Sequence, residues 1–270
     1  MNEAEGNAPS SATTGRPVLA EDDGALTLYF DDSAIQSRMD PARPLDLVLD
    51  YSRIMMGTLL FVPEPRHIGM IGLGGGSLVK YCRDRLPDTR ISVAEISPEV
   101  IALRERFHIP PDDDRLQVTC ADGADWLAQQ NEAFDLLFVD GFDIGGQAPA
   151  LCTQRFYDDC RDALTGNGLL AINMHASDAL HGAYVGRVRS SFANSVSVVA
   201  TADGVNEIVF AAHGDSFRLS EKQLYMRACA LERRLGIDLK WLARALTEGR
   251  RREFAAPARG TWRHASGAGE

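Results

Sequence analysis

Ile71-Gly72-Leu73-Gly74-Gly75-Gly76-Ser77 joins a predicted strand, residues 68–73, to a predicted helix, residues 77–86. Glycines at such a junction let the backbone turn tightly and let a ligand approach main-chain N–H groups at the helix start. The spacing is GxGxG. A dinucleotide fingerprint would need a sixth-position glycine where Ser77 stands, and a phosphate loop would need a following GK[ST]. The stretch therefore predicts a ligand-binding turn of an α/β domain that is neither a dinucleotide fingerprint nor a phosphate loop.

Short apolar runs alternate with helical patterns outward from this loop, which is typical of a parallel sheet covered by helices. Further strands are predicted at 91–95, 116–120, 136–140 and 169–174, and further helices at 99–107, 123–130, 153–164 and 178–192. Runs at 196–201 and 207–212 predict a closing antiparallel hairpin. The predicted fold class is α/β, a Rossmann-like, doubly wound, mostly parallel sheet.

The two ends of the chain differ in composition from this centre. Residues 1–17 are rich in Ser, Thr, Ala and Gly and predict a disordered leader, and residues 18–62 predict a small β-hairpin (25–37) and a helix (45–61). Residues 63–215 form the predicted Rossmann-like catalytic domain. Residues 216–254 predict C-terminal helices (219–235 and 237–246), and 255–270 a flexible tail.

Composition excludes several classes of protein. A net charge of −10 disfavours nucleic-acid binding, and the absence of an apolar run of about 18 residues excludes a membrane span. Five cysteines without a CxxC pair argue against disulfides and a zinc ribbon, and predict a cytoplasmic protein with reduced thiols. Six histidines without HExxH or HxH spacing predict no metal site.

Acidic residues follow the second and third predicted strands. Glu95 lies about twenty residues past the loop, where an acid commonly accepts hydrogen bonds from a ribose diol. Asp122-Gly123 lies at the same sheet edge, and Asp122 is either an acceptor for an adenine amino group or a helix N-cap, or both. The alternative for Glu95 is a surface acid beside a tight turn. With the GxGxG spacing, which resembles the first motif of class I adenosylmethionine-dependent transferases, these residues predict an adenosine site.

Two carboxylates leave the fourth predicted strand. Asp140 and Asp143 lie three residues apart on a glycine-rich turn and can face a ligand over the sheet edge. They would attract a protonated amine, and an amine with a pKa near ~10.4 must lose a proton before it can be alkylated. A carboxylate can accept that proton. The alternative is a turn in which an aspartate only caps the backbone.

The order of these motifs, with Val93-Ala94-Glu95-Ile96-Ser97-Pro98 and Phe156-Tyr157, resembles the catalytic domain of the spermidine synthase family over residues 35–174. The resemblance implies a class I methyltransferase fold, an adenosylmethionine or decarboxylated adenosylmethionine donor, a small-molecule amine acceptor and a homodimer. It implies that Asp140 is the base and that Tyr51 and Asp143 hold the amine. The residues implied for the nucleoside are Gln36, Gly72, Gly74, Gly76, Glu95, Asp122 and Gly123.

Two departures from the family pattern bear on the substrates. Gly75 replaces an aspartate that grips the aminopropyl ammonium of the decarboxylated donor, and Ser52-Arg53 replaces a His-Glu pair beside the amine. Loss of the aspartate makes intact adenosylmethionine electrostatically admissible, so a methyltransferase is an alternative function. Arg53 is expected to add a positive charge near the amine. This expectation favours a third alternative, an inert nucleoside-binding relative.

Overall fold

The computed structural model of the chain describes residues 16–30, 34–143 and 146–255. Residues 1–15 of the predicted leader and residues 256–270 of the predicted tail lie outside this part. Pro17, the last residue of the predicted leader, already lies in the first strand.

Twelve strands and eight α-helices form in the described part of the chain. The strands are β1 Pro17–Asp22, β2 Ala25–Phe30, β3 Ala34–Met39, β4 His67–Ile71, β5 Arg90–Glu95, β6 Leu116–Cys120, β7 Phe134–Val139, β8 Phe142–Asp143, β9 Gly146–Gln147, β10 Leu164–His175, β11 Val196–Ala200 and β12 Asn206–Ala212. The helices are α1 Asp50–Met55, α2 Ser77–Arg85, α3 Pro98–Ala102, α4 Gly123–Leu127, α5 Gln154–Ala163, α6 His181–Ser191, α7 Glu221–Leu235 and α8 Lys240–Ala255.

Seven strands build the central sheet in the order β11-β12-β10-β7-β4-β5-β6, and β12 alone runs opposite to the other six. The chain leaves β4 toward β5 and β6, then returns to β7 on the other side of β4. This reversal creates a crevice at the carboxyl ends of β4 and β7, where ligands of such sheets bind. The predicted Rossmann-like, mostly parallel α/β fold is confirmed.

Apolar side chains on both faces of the sheet form the core. Ile68 and Phe138 pack into one buried cluster, which also takes in α7 and α8, while Leu137 and Ile172 pack into a second cluster with α5 and α6. Burial on both faces explains why these strands are continuous apolar runs. No helix among the described residues is long and apolar enough to span a membrane.

The N-terminal region differs from its prediction. The hairpin has a third strand, β1, and the predicted helix at 45–61 begins only at Asp50 and continues from Met56 to Leu60 as a 3₁₀ helix. The Arg53 guanidinium donates to the carbonyl oxygens of Leu47 and Val48, which fixes these residues outside a helix. The predicted start at residue 45 is therefore wrong.

Candidate active site

A cavity of about 510 Å³ opens at the carboxyl ends of β4 and β7. Its walls come from β2, β3, α1, the glycine loop and the segments after β5, β6 and β7. Nine of the ten predicted site residues line it, and Gly76 does not: the nine are Gln36, Tyr51, Gly72, Gly74, Glu95, Asp122, Gly123, Asp140 and Asp143. The fold thus brings together side chains that are separated by more than one hundred positions in the sequence.

The glycine loop has a backbone that other residues adopt rarely. Gly72 has φ +93°, and a Cβ atom there would overlap the Asp140 carbonyl oxygen. Gly76 has φ +64°, and its Cβ would lie 2.5 Å from the Ile109 side chain. Glycine at position 72 therefore lets β4 pack closely against the segment after β7. Gly76 instead packs against Ile109 and does not reach the cavity.

Glu95 lies at the end of β5 and is 7% exposed. Its carboxylate accepts hydrogen bonds from the N–H groups of Leu73 (2.8 Å) and Ser97 (2.9 Å). Burial raises the pKa of Glu95, and these backbone hydrogen bonds oppose the rise. The carboxylate therefore fixes the glycine loop while it lines the cavity.

Asp122 caps helix α4. Its Oδ1 accepts from the N–H groups of Ala124 (2.8 Å) and Asp125 (3.2 Å), and the side chain also lines the cavity. The cap that was one interpretation of this residue is thus present. One carboxylate can accept about four hydrogen bonds, so the cap leaves capacity for a ligand.

Asp140 follows β7 at the floor of the cavity. Burial raises its pKa, while hydrogen bonds from Asn173 and Tyr51 and the charge of His175 lower it. The Asn173 amide nitrogen lies 2.9 Å from Asp140 Oδ1. Burial and the neighbouring carboxylate raise the pKa of Tyr51 well above its ordinary value, so its hydroxyl remains protonated. Asp140 is thus a half-buried carboxylate held by neutral donors.

Asn173 was not identified from the sequence. It lies in β10, at the same sheet edge as Asp140, and is 2% exposed. A signal was present, because Asn173 is the single amide in the apolar run of residues 169–174. Asn206 donates a hydrogen bond to Asn173 Oδ1 (2.9 Å). It begins β12, and nothing in the sequence around it gave such a signal.

Ser52 and Arg53 do not line the cavity. Ser52 is buried and donates to the Leu49 carbonyl oxygen (2.6 Å), and the exposed Arg53 forms an ion pair with Asp50 (3.2 Å). Arg53 therefore adds no positive charge to the lining of the cavity, because its guanidinium is held by the loop before α1. This pair therefore gives no support to an inert relative.

Gly75 faces Ser37 and Phe107. A Cβ atom at position 75 would lie 2.5 Å from Ser37 Oγ and 2.9 Å from the Phe107 ring. The loop is therefore packed for glycine here and could not take an aspartate without displacing both neighbours.

The charge of the cavity has one sign. Glu95, Asp122, Asp140 and Asp143 line it, and no Lys, Arg or His does so among the described residues. The same residues include no group of three or more His, Cys, Asp or Glu side chains that could hold a metal ion. The site is thus suited to cationic ligands.

Comparison with known proteins gives the family. The model of the spermine/spermidine synthase domain matches residues 49–202, more than half of the chain. The chain belongs to this family. A polyamine aminopropyltransferase of Chromobacterium violaceum is 35% identical over 82% of this chain and 85% of the relative. The prediction of a spermidine-synthase-like transferase is therefore confirmed.

Solved structures agree on the fold. A probable spermidine synthase from Corynebacterium glutamicum superposes with a TM-score of 0.69 at 20% identity, covering 91% of this chain and 92% of the other. Human methyltransferase-like protein 13, solved in complex with SAH, superposes with a TM-score of 0.64 at 25% identity, covering 70% of this chain and 93% of the other. The predicted methyltransferase-like architecture is thus found in both kinds of transferase.

Proposed function

We propose that this transferase moves the aminopropyl group of decarboxylated adenosylmethionine to a small-molecule amine. The observation that carries the proposal is a cavity lined by four carboxylates and, among the described residues, by no cationic side chain. The decarboxylated donor has a sulfonium and an ammonium and lacks a carboxylate. Intact adenosylmethionine would place a fifth carboxylate among the four, which is electrostatically unfavourable.

The nucleoside roles follow the sheet edge. Gly72, Gly74 and Gly76 shape the loop against which the adenosine lies. Glu95 accepts from the ribose hydroxyls, and Asp122 with Gly123 contacts the adenine. Gln36 closes this side of the cavity from β3, and the carboxylates of Glu95 and Asp122 have acceptor capacity beyond their backbone hydrogen bonds.

The acceptor amine lies between Tyr51 and Asp143, and Asp140 accepts its proton. The amine nitrogen then attacks the aminopropyl carbon attached to sulfur. The C–S electron pair returns to sulfur as the N–C bond forms, which leaves methylthioadenosine. A buried carboxylate is a stronger base than an exposed one, which suits proton acceptance.

The test supplies the two donors separately, each with putrescine, cadaverine or spermidine, and separates the products by chromatography. Methylthioadenosine from the decarboxylated donor is the expected result, and Asp140→Asn is the matched control that removes the base. Absence of methylthioadenosine with all three amines would overturn the proposal.

Methyl transfer from intact adenosylmethionine is the second candidate, favoured by Gly75. The contacts of Gly75 with Ser37 and Phe107 leave the loop without an acidic side chain that would repel the donor carboxylate. This function predicts adenosylhomocysteine in the same chromatogram, from the intact donor only.

The assembly and location are also proposals. A homodimer through the N-terminal sheet is supported by Val18 and Ile35, which are 43% and 45% exposed there. Light scattering that gives one protomer mass would refute it. A cytoplasmic location is supported by five free cysteines, and the net charge of −10 supports small-molecule partners in place of nucleic acid.

A further inference from the structure

A chain of amide side chains, two of them buried and one half-buried, lies behind Asp140. Asn173 Nδ2 donates to Asp140 Oδ1 (2.9 Å), and Asn173 Oδ1 accepts from Asn206 Nδ2 (2.9 Å). Gln147 Nε2 donates to the Asn173 carbonyl oxygen (3.1 Å), which also fixes the backbone at this position. The chain runs from β12 through β10 to the cavity floor.

The direction of these hydrogen bonds favours one protonation state. An ionised carboxylate only accepts hydrogen bonds, whereas a protonated carboxyl group also donates one. Because Asn206 donates to the oxygen of the Asn173 amide, the amide's NH₂ group is turned toward Asp140. The arrangement matches an ionised Asp140 and leaves a protonated one with a poorer partner.

We propose that Asn173, oriented by Asn206, is a positioning residue that keeps Asp140 ionised and aimed for proton acceptance. The inference rests on the proposed function, because it assumes that Asp140 is the base. Without the Asn173 donor, burial alone would hold Asp140 in its protonated form over a wider pH range.

Other titratable groups face Asp140 and must be separated from this effect. Tyr51 approaches it from α1 and His175 from β10, and Asp143 lines the same cavity from β8. Tyr51 stays neutral because its pKa is raised well above the ordinary value. The charge of His175 also acts on Asp140, so each Asn173 variant is also made with His175→Gln.

The experiment measures kcat, KM for the amine and the pH dependence of kcat/KM for the wild type, Asn173→Ala, Asn173→Asp and Asn206→Ala. Ser197→Ala is the control. Ser197 lies in β11 and donates a buried hydrogen bond to the Leu246 carbonyl oxygen of α8 (3.1 Å), so this variant loses a buried hydrogen bond outside the amide chain. Calorimetry with methylthioadenosine reports whether each variant keeps an intact nucleoside site.

Asn173→Ala and Asn173→Asp are expected to lower kcat about tenfold to a hundredfold and to move the acid limb of the profile to higher pH. Asn206→Ala is expected to move the limb the same way by less, and Ser197→Ala to leave it in place. Unchanged kcat and acid limb in variants that bind methylthioadenosine would overturn the inference. Asn206→Ala decides alone if the Asn173 variants do not fold. A wild type without aminopropyl transfer would instead overturn the proposed function.

Discussion

Gly72→Ala is expected to lower both the unfolding free energy and kcat, because its added Cβ would contact the Asp140 carbonyl oxygen. Gly72 has φ +93°, a conformation that costs an L-residue on the order of 1–3 kcal/mol. Its added Cβ would overlap the Asp140 carbonyl oxygen, although real Cβ atoms keep at least 3.0 Å from such neighbours. Either β4 or the segment that carries Asp140 must therefore move.

Hydrogen bonds on both sides resist this movement. Gly72 N–H donates to the Ala94 carbonyl oxygen (2.9 Å), and Asp140 N–H donates to the Ile71 carbonyl oxygen (2.9 Å). Loss of each bond costs about 1 kcal/mol, so the total destabilisation is about 3–5 kcal/mol. Displacement of the base adds a kcat loss of about a hundredfold.

Gly204→Ala is the matched control. Gly204 also has a positive φ, +71°, but no neighbouring atom lies within 4 Å of its added Cβ. Gly204→Ala is therefore expected to lower the unfolding free energy by the conformational cost alone, about 1–2 kcal/mol. Urea denaturation gives the difference in unfolding free energy, and methylthioadenosine release gives kcat. Equal losses of unfolding free energy in both variants, with wild-type kcat in Gly72→Ala, would show that the close approach of Gly72 to Asp140 matters for neither stability nor catalysis.

Three further predictions concern titratable groups. Asp140→Asn is expected to lower kcat about 10²–10⁴-fold with unchanged methylthioadenosine affinity, and a loss of affinity equal to the loss of kcat would contradict the base role. Tyr51→Phe removes a donor to Asp140 and is expected to move the acid limb of kcat/KM to higher pH, so a shift to lower pH would refute the assigned hydrogen bond. Lys80 is 3% exposed and burial lowers its pKa to about 8, so the unfolded chain binds more protons between pH 8 and about 10, and unfolding free energy is expected to rise across that range. Lys80→Met should remove this rise in urea titrations at pH 7.5 and 9.5, and a wild type whose stability is flat across the range would contradict the shift.

The fold and most of the cavity could be predicted because their signals are local. The glycines from Gly72 to Gly76 lie between a strand and a helix, and Glu95, Asp122 and Asp140 each follow an apolar run. In a parallel sheet all such run ends meet at one edge, so sequence order alone brings these acids together.

The remaining features depend on contacts between distant segments. Nothing near Arg53 in the sequence shows that its guanidinium turns away from the cavity toward the loop before α1. Asn206 reaches Asn173 only because β12 inserts antiparallel between β10 and β11. Apolar periodicity does not specify that insertion, which depends on the pairing of whole strands.

The charge of the cavity also bears on turnover in the proposed reaction. The donor enters with a sulfonium and an ammonium, whereas methylthioadenosine leaves as a neutral thioether. The four carboxylates around the site therefore attract the substrate more strongly than the nucleoside product. The other product carries the transferred amine and keeps its positive charge, so the acids that favour donor entry also retain the alkylated amine. On this argument release of the amine product, and not of methylthioadenosine, is the step that rising ionic strength should accelerate.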